Sequence, residues 1–246
     1  MRRRDILHYL EALAPAATCE EWDNVGLLLG SAEGEDACVL VTLDVTSAAV
    51  QAAVDAGAHL IVSHHPVIFR PLKALSADSA VWRAVQADVS VACLHTNWDK
   101  AAGGINDALA AALGLADVTV TSDGLCRVGR LSAPMTAQQL AVHTAAVLGC
   151  DVRVCGEKEV SRVAVCGGSG GEFIAASEAD AFITGEVRHH EWLAAKEAGT
   201  VVIEAGHYAT EQPGVAALAA ALAAAFPALR VVPFDVTSPY RTVREA

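Results

Sequence analysis

Apolar residues fall along this chain in two rhythms, short runs of branched side chains and longer stripes spaced three and four residues apart, and the two alternate throughout. Apolar positions 6, 7, 10 and 13 form a helical stripe within 5–13, which Pro15 stops. Runs 38–43, 59–62 and 89–94 have the length and branching of buried strands. Between and after them, 47–56, 77–87 and 105–113 read as helices. Thr46 or Asp44 can cap the first of these, and Gly57 and Gly114 close the first and the last. The stretch from Glu20 to Leu27 has a polar middle between apolar flanks, so it reads as a turn in which Asp23 and Asn24 are capping or hydrogen-bonding groups.

The rhythm continues in the second half, with strands at 127–131, 151–155, 162–166, 181–184, 200–205 and 229–234. Helices fall at 136–148, 172–178, 190–198 and 212–225. Such alternation predicts the α/β class, with mainly parallel sheets, right-handed crossovers and helices packed on the sheet faces. The second half reads as a reworked copy of the first, which gives two related α/β lobes, 1–126 and 127–246, both supplying ligands to one site. No Pro- or Ser-rich linker separates them, so they are expected to interlock.

Hydrophobic residues make up 53% of the 246 and charged residues 19%, a composition that excludes disorder. A formal net charge of −12 argues against a nucleic-acid polymer or an anionic membrane as partner, although not against a single nucleotide. Met1-Arg2-Arg3-Arg4 runs into Asp5, His8 and Glu11, not into the apolar core of a secretory leader. The alanine-rich 214–226 segment is too short to span a bilayer. A soluble, cytoplasmic protein is expected. The seven cysteines are scattered without C-x-x-C spacing, so they read as small buried hydrophobes and not as a sulfur-based zinc site.

Candidate chemistry gathers where strands end. Ile61-Val62-Ser63 stops at His64-His65-Pro66, at the carboxyl edge where open α/β sheets form their crevices. Successive side chains on an extended backbone point in opposite directions, so these two imidazoles are expected to hold different ions. Two further strands run into His95-x-x-x-Asp99 and His207-x-x-x-Glu211. Residues four apart on a helical turn share a face, so each pair can aim nitrogen and oxygen at one point. Imidazole with carboxylate suits zinc, iron or manganese, and a carboxylate can bridge two ions about 3.5–4 Å apart.

Other residues pose a choice. Gly167 to Gly171 reads either as a phosphate cradle or as a tight turn with close backbone approach, and the spacing favours the turn. Glu186 can cap the following helix or carry protons. His189 and His190 read as lying behind the ligands or facing a substrate, while His8, His59 and His143 read as structural.

Taken together, Trp22-Asp23-Asn24-Val25-Gly26-Leu27, Ser63-His64-His65-Pro66, His95-Thr96-Asn97-Trp98-Asp99, Gly104-Ile105-Asn106, Thr184-Gly185-Glu186 and Gly206-His207-Tyr208-Ala209-Thr210-Glu211 resemble the NIF-three-like dinuclear metal proteins. That family is also catalogued as GTP cyclohydrolase 1 type 2 homologues, and the similarity to its short form spans nearly the whole chain. The resemblance implies two intertwined α/β lobes and a homohexameric ring with its metal sites facing inward. It implies two divalent metal ions per chain, held by His64, His65, Asp99, His207 and a bridging Glu211, with His95 beside them as a further ligand. It also implies a metal-dependent hydrolase that opens the purine ring of GTP by hydroxide attack at C8 and releases formate. Glu211, His95 and Glu186 are the candidate catalytic residues, with His189 as a further proton carrier. The alternatives are a metal-dependent phosphohydrolase and a metal-binding, delivery or regulatory protein without turnover.

Overall fold

The computed structural model describes residues 1–240 and 243. These residues build two compact units, one from Met1–Ala101 with Val215–Thr237, the other from Ala102–Gly214 with the described residues beyond Thr237. Each unit is an α/β layer structure with its own sheet, and together they carry eight α-helices.

The first unit contains α1 (Arg3–Leu13), β1 (Gly26–Leu29), β2 (Cys38–Thr42), α2 (Ser47–Asp55), β3 (Leu60–Ser63), α3 (Ala80–Gln86), β4 (Ser90–Cys93) and α4 (Thr96–Lys100). The second follows with α5 (Ile105–Ala112), β5 (Ala116–Val120), β6 (Arg127–Thr136), α6 (Ala137–Leu148), β7 (Arg153–Cys155), β8 (Glu159–Cys166), β9 (Ala181–Thr184), α7 (His189–Ala198) and β10 (Val201–Glu204). Helix α8 (His207–Ala225) begins in the second unit, and β11 (Arg230–Phe234) completes the sheet of the first.

The first sheet has the order β1-β4-β3-β2-β11 and is parallel except for β1 at its edge. Strands β2, β3 and β4 are buried along their whole length, as strands covered on both faces are. Leu40, Ile61 and Val91 pack against Val50 and Ala53 of α2 and Ala84 of α3. The run read as a turn before Leu27 continues directly into β1, an edge strand too short to show alternation.

The second sheet, β5-β6-β8-β9-β10-β7, departs from the parallel expectation. Only β8-β9 and β9-β10 are parallel, while β5, β6 and β7 pair antiparallel. Alternate residues of its central strands serve two cores. Val163, Ile183 and Ile203 face Leu109 and Leu140, whereas Ala164, Phe182 and Val202 face Ile174 and Ala195. The first of these cores corrects the expected boundary after residue 126. Leu109, Ala110 and Leu113 of the α5 region pack with the second sheet, so the first unit ends at Ala101. The segment read as a helix over 172–178 forms only a 3₁₀ turn at Gly171–Phe173. Among the described residues no helix is long and apolar enough to cross a membrane.

One buried ion pair ties the start of the chain to the first sheet. Arg3 Nε and Nη2 donate to the two oxygens of Asp36, both at 3.0 Å, and Nη1 donates to Ser90 Oγ at 2.7 Å. Asp36 is 2% exposed. Removing one partner of a buried charge pair strands the other. Asp36→Ala is therefore expected to lower the unfolding free energy by about 3–5 kcal/mol, read from urea denaturation.

Candidate metal centre

Strands β2, β3 and β4 end side by side, and the chain just beyond each is held tightly. Thr42 Oγ1 donates to the carbonyl of Asp44 at 3.2 Å, and Ser63 Oγ to the carbonyl of His65 at 2.8 Å, so each strand's last hydroxyl fastens the bend that follows. The His64 and His65 N–H groups donate to the carbonyls of Thr42 and Leu43. This bend removes the strand alternation on which the two-ion expectation for these neighbours rested. The rings lie 5.0 Å apart between centroids, and one ligand atom from each of His64, His65 and His95 falls within 4.8 Å of the others. His64 Nε2 is 3.7 Å from Asp99 Oδ1, and the His64 side chain is fully buried.

His95 stands at the start of α4, where the Trp98 and Asp99 N–H groups return to its carbonyl at 2.8 and 3.0 Å. The spacing of four thus brings Asp99 onto the same turn, as the sequence pattern predicts.

The second unit holds a matching pair. His207 opens α8 and Glu211 lies one turn on, with Nε2 to Oε1 at 3.2 Å. Glu211 is 3% exposed. Helix α8 therefore starts at His207, five residues before the position that apolar spacing alone indicates.

Each of these four imidazoles meets an oxygen at Nδ1. His64 faces the Leu94 carbonyl at 2.9 Å, His65 faces Asp44 Oδ1 at 2.8 Å, His95 faces Asp23 Oδ1 at 2.8 Å and His207 faces Glu186 Oε1 at 3.0 Å. A carbonyl or an ionised carboxylate only accepts, so Nδ1 carries the hydrogen and the lone pair resides on Nε2. That is the tautomer a metal ion requires, and the carboxylate partners raise the donor strength of the ring. The residues present therefore fit a divalent cation.

Asp23 is the most heavily engaged of these partners. Besides His95 it accepts the Asn24 N–H at 2.7 Å, the Thr96 N–H at 3.1 Å and the Thr96 hydroxyl at 2.5 Å. Burial pushes its carboxyl up, but the hydrogen bonds from His95, Thr96 and Asn24 prevail and hold it at about 2. Burial likewise pushes Glu186 up, and the Ser169 hydroxyl, donating at 2.5 Å, together with His207 brings it below the usual carboxylate range.

The glycine run is explained by crowding. Gly168 has φ +63°, and a Cβ there would collide with Glu211 Oε1 and lie 3.2 Å from His207 Nε2. A Cβ on Gly185 would lie 2.6 Å from the Gly168 carbonyl and 2.7 Å from His207 Cα. Close backbone approach, the reading favoured by the spacing, is thus what the run provides. Beside it a cavity of about 710 Å³ is lined by Arg153, Glu186, Glu204, Gly206 and Tyr240 among others. The Glu204 carboxylate, 7% exposed, accepts the Val187 N–H at 3.1 Å and pairs with Arg153.

The sequence model of the Duf34/NIF3 (NGG1p interacting factor 3) family matches residues 1–239. The chain belongs to the DUF34/NIF3 family. Among curated members, a Streptomyces coelicolor protein named GTP cyclohydrolase 1 type 2 homolog is 36% identical over 86% of this chain and 82% of its own. A Clostridium perfringens protein of the same name is 31% identical over 87% of this chain and 88% of its own. A crystal structure of a hypothetical protein from Staphylococcus aureus superposes with a TM-score of 0.93 at 28% identity, covering 99% of each chain.

Within this DUF34/NIF3 chain, the expected ligands His64, His65, His95 and Asp99 gather in the first unit and His207 and Glu211 in the second, where Glu186, expected as a cap or proton carrier, lies against His207. His189 and His190 lie exposed in the first turn of α7, and His59 and His143 bond to backbone carbonyls. Two residues given other roles in the sequence reading belong to the centre. Asp23 holds His95 in place of serving only its turn, and Asp44 holds His65 while Thr46 caps α2. Glu186 holds His207, and the first turn of α7 is instead closed by Glu191 accepting the Arg188 N–H. Asp44 was detectable, since it follows an apolar strand just as His64 does.

These contacts set the first test of the centre. Asp44→Ala and Glu186→Ala are expected to weaken metal binding about 10–100-fold with little change in unfolding midpoint, measured by competition with a chromophoric chelator. Gly168→Ala, whose methyl group would occupy the place of the Glu211 carboxylate, is expected to lose at least as much.

Proposed function

We propose that this protein holds two divalent metal ions with His64, His65, His95, Asp99, His207 and Glu211 and uses them for hydrolysis of a nucleotide. The observation that carries the reading is the Nδ1 contact of each histidine to an oxygen acceptor, which fixes the metal-binding tautomer. Membership of the DUF34/NIF3 family supports it, as does the GTP cyclohydrolase 1 type 2 homolog name of its relatives. Zinc, iron and manganese all suit this donor set.

Such ions, when bound, act as Lewis acids and bring water into its reactive range near neutral pH. The chain's own residues do the rest. Asp23, Asp44 and Glu186 keep three imidazoles oriented, so the donor atoms need little rearrangement when an ion arrives. Glu186 also lines the cavity in the second unit, where it can exchange a proton with a bound ligand while Ser169 steadies its other oxygen. The cavity has the volume of an ordinary small-molecule site. Opening of the purine ring of GTP with release of formate is the reaction proposed, and assembly into a homohexameric ring belongs to the same reading.

Metal analysis by mass spectrometry on protein purified without added metal, paired with formate and phosphate assays on GTP and other nucleotides, tests this directly. The expected outcome is about two metal ions per chain and formate release that His65→Ala and Glu211→Gln both abolish. Phosphate release alone would replace the cyclohydrolase with a phosphohydrolase. Tightly held metal without any product would leave a binding or delivery protein. Less than one metal per chain, unchanged in the variants, would end the dinuclear reading. Light scattering of the same sample reads the assembly, for which six chain masses are expected.

A further inference from the structure

Beside the histidine cluster of the first unit stand two large aromatic side chains that the metal-binding arrangement does not use. Trp22 is 60% exposed and Phe69 42%. Single exposed apolar residues are ordinary on a protein surface. These two are not scattered, because their rings meet edge to face at 5.8 Å, and both pack edge to face on His95, at 6.2 and 6.3 Å. An edge-to-face contact covers a face of only one of its two rings, and the exposure of both residues leaves ring surface open to solvent.

The pair is also held in place. Trp22 precedes Asp23, whose carboxylate is locked to His95 and Thr96, and Asn24 Nδ2 donates to the carbonyl of Ile68, next to Phe69, at 2.5 Å. One short turn thus orients a candidate metal ligand and fixes two aromatic rings against it. Keeping an indole exposed forgoes its burial, which is understandable where a ligand supplies the missing contact.

We infer that Trp22 and Phe69 form a stacking wall for a planar heteroaromatic ring of the substrate, which they place beside His95. The inference rests on the proposed metal-dependent reading of this site and names the part of the substrate that the first unit recognises. A phosphate gains little from the electron-rich face of an aromatic ring, whereas a flat nitrogen heterocycle stacks on it whatever its edge pattern. A cationic ligand, the other natural guest of an indole face, would be repelled by ions held at the neighbouring imidazoles.

The test uses the full-length, metal-loaded protein and two probes, inosine, which has a ring and no phosphate, and ribose 5-phosphate, which has a phosphate and no ring. Calorimetric titration is expected to show inosine affinity falling at least about tenfold in Trp22→Ala and in Phe69→Ala and staying within about threefold in Trp22→Phe. Ribose 5-phosphate should be indifferent to all three changes. Far-ultraviolet dichroism and metal content of each variant, unchanged from the parent, establish that the fold and the centre are intact. The two single-ring variants and the phenylalanine replacement keep the test decisive if one of them fails to fold. Inosine affinity unaltered by loss of either ring, or no inosine binding by the parent protein at millimolar concentration, would overturn the wall. A changed assembly mass in Trp22→Ala with unaltered inosine affinity would overturn it in favour of a contact between copies. Ring-dependent binding by a parent protein that holds no metal would remove the metal reading and leave the wall; full metal content without ring-dependent binding would do the reverse.

Discussion

An imidazole whose Nδ1 hydrogen is engaged by an oxygen presents its lone pair on Nε2, and the candidate centre depends on that single interaction repeated at His64, His65, His95 and His207. The acceptors come from different places: a backbone carbonyl at Leu94, a carboxylate after β2 at Asp44, a turn at Asp23 and the segment after β9 at Glu186. Donors built in this way are oriented before any ion arrives, so little side-chain freedom is lost on binding. The surrounding backbone is equally constrained. Thr42, Ser63 and Cys93 each direct a side-chain hydrogen to a carbonyl of the 44–65 edge, and this keeps the two adjacent histidines on a bend that a free chain would not hold.

The parallel strands explain why this edge exists. Strands that all run in one direction end on one side, and their last polar residues are forced into proximity there. In the first unit Asp44, His64 and His95 follow three adjacent strands, β2, β3 and β4, within two positions of each strand's end. In the second unit Ser169, Glu186 and His207 follow β8, β9 and β10, likewise adjacent and parallel, within three. The antiparallel strands β5, β6 and β7 extend that second sheet without contributing to the cluster.

Much of this was legible from residue order. The α/β class, the central strands and the pairs His95 with Asp99 and His207 with Glu211 follow from runs of branched residues and a spacing of four, because both express local geometry. Asp23 was hidden, since a carboxylate in a turn has a sufficient local explanation and its distant partner leaves no mark on the sequence, whereas Asp44 shares the strand-end position of His64 and was passed over as a helix cap. The alternation invoked for His64 and His65 does not reach them, because it holds only while a strand lasts and β3 ends at Ser63. The edge strands β1 and β5 were missed where four or five residues are too few to declare a period, and the antiparallel pairing of β5, β6 and β7 arises from contacts that no run of residues encodes.

The sheet that bears His64, His65 and His95 is finished by β11, whose residues Arg230 to Phe234 pair with Cys38 to Thr42. On a ribosome the three histidines emerge long before the strand that closes their sheet, and Ala102–Gly214 of the second unit is made in between. Synthesis therefore delivers the whole sheet of the second unit while the first still exposes the outer edge of β2. During that interval the unpaired β2 is open to strand addition by another chain.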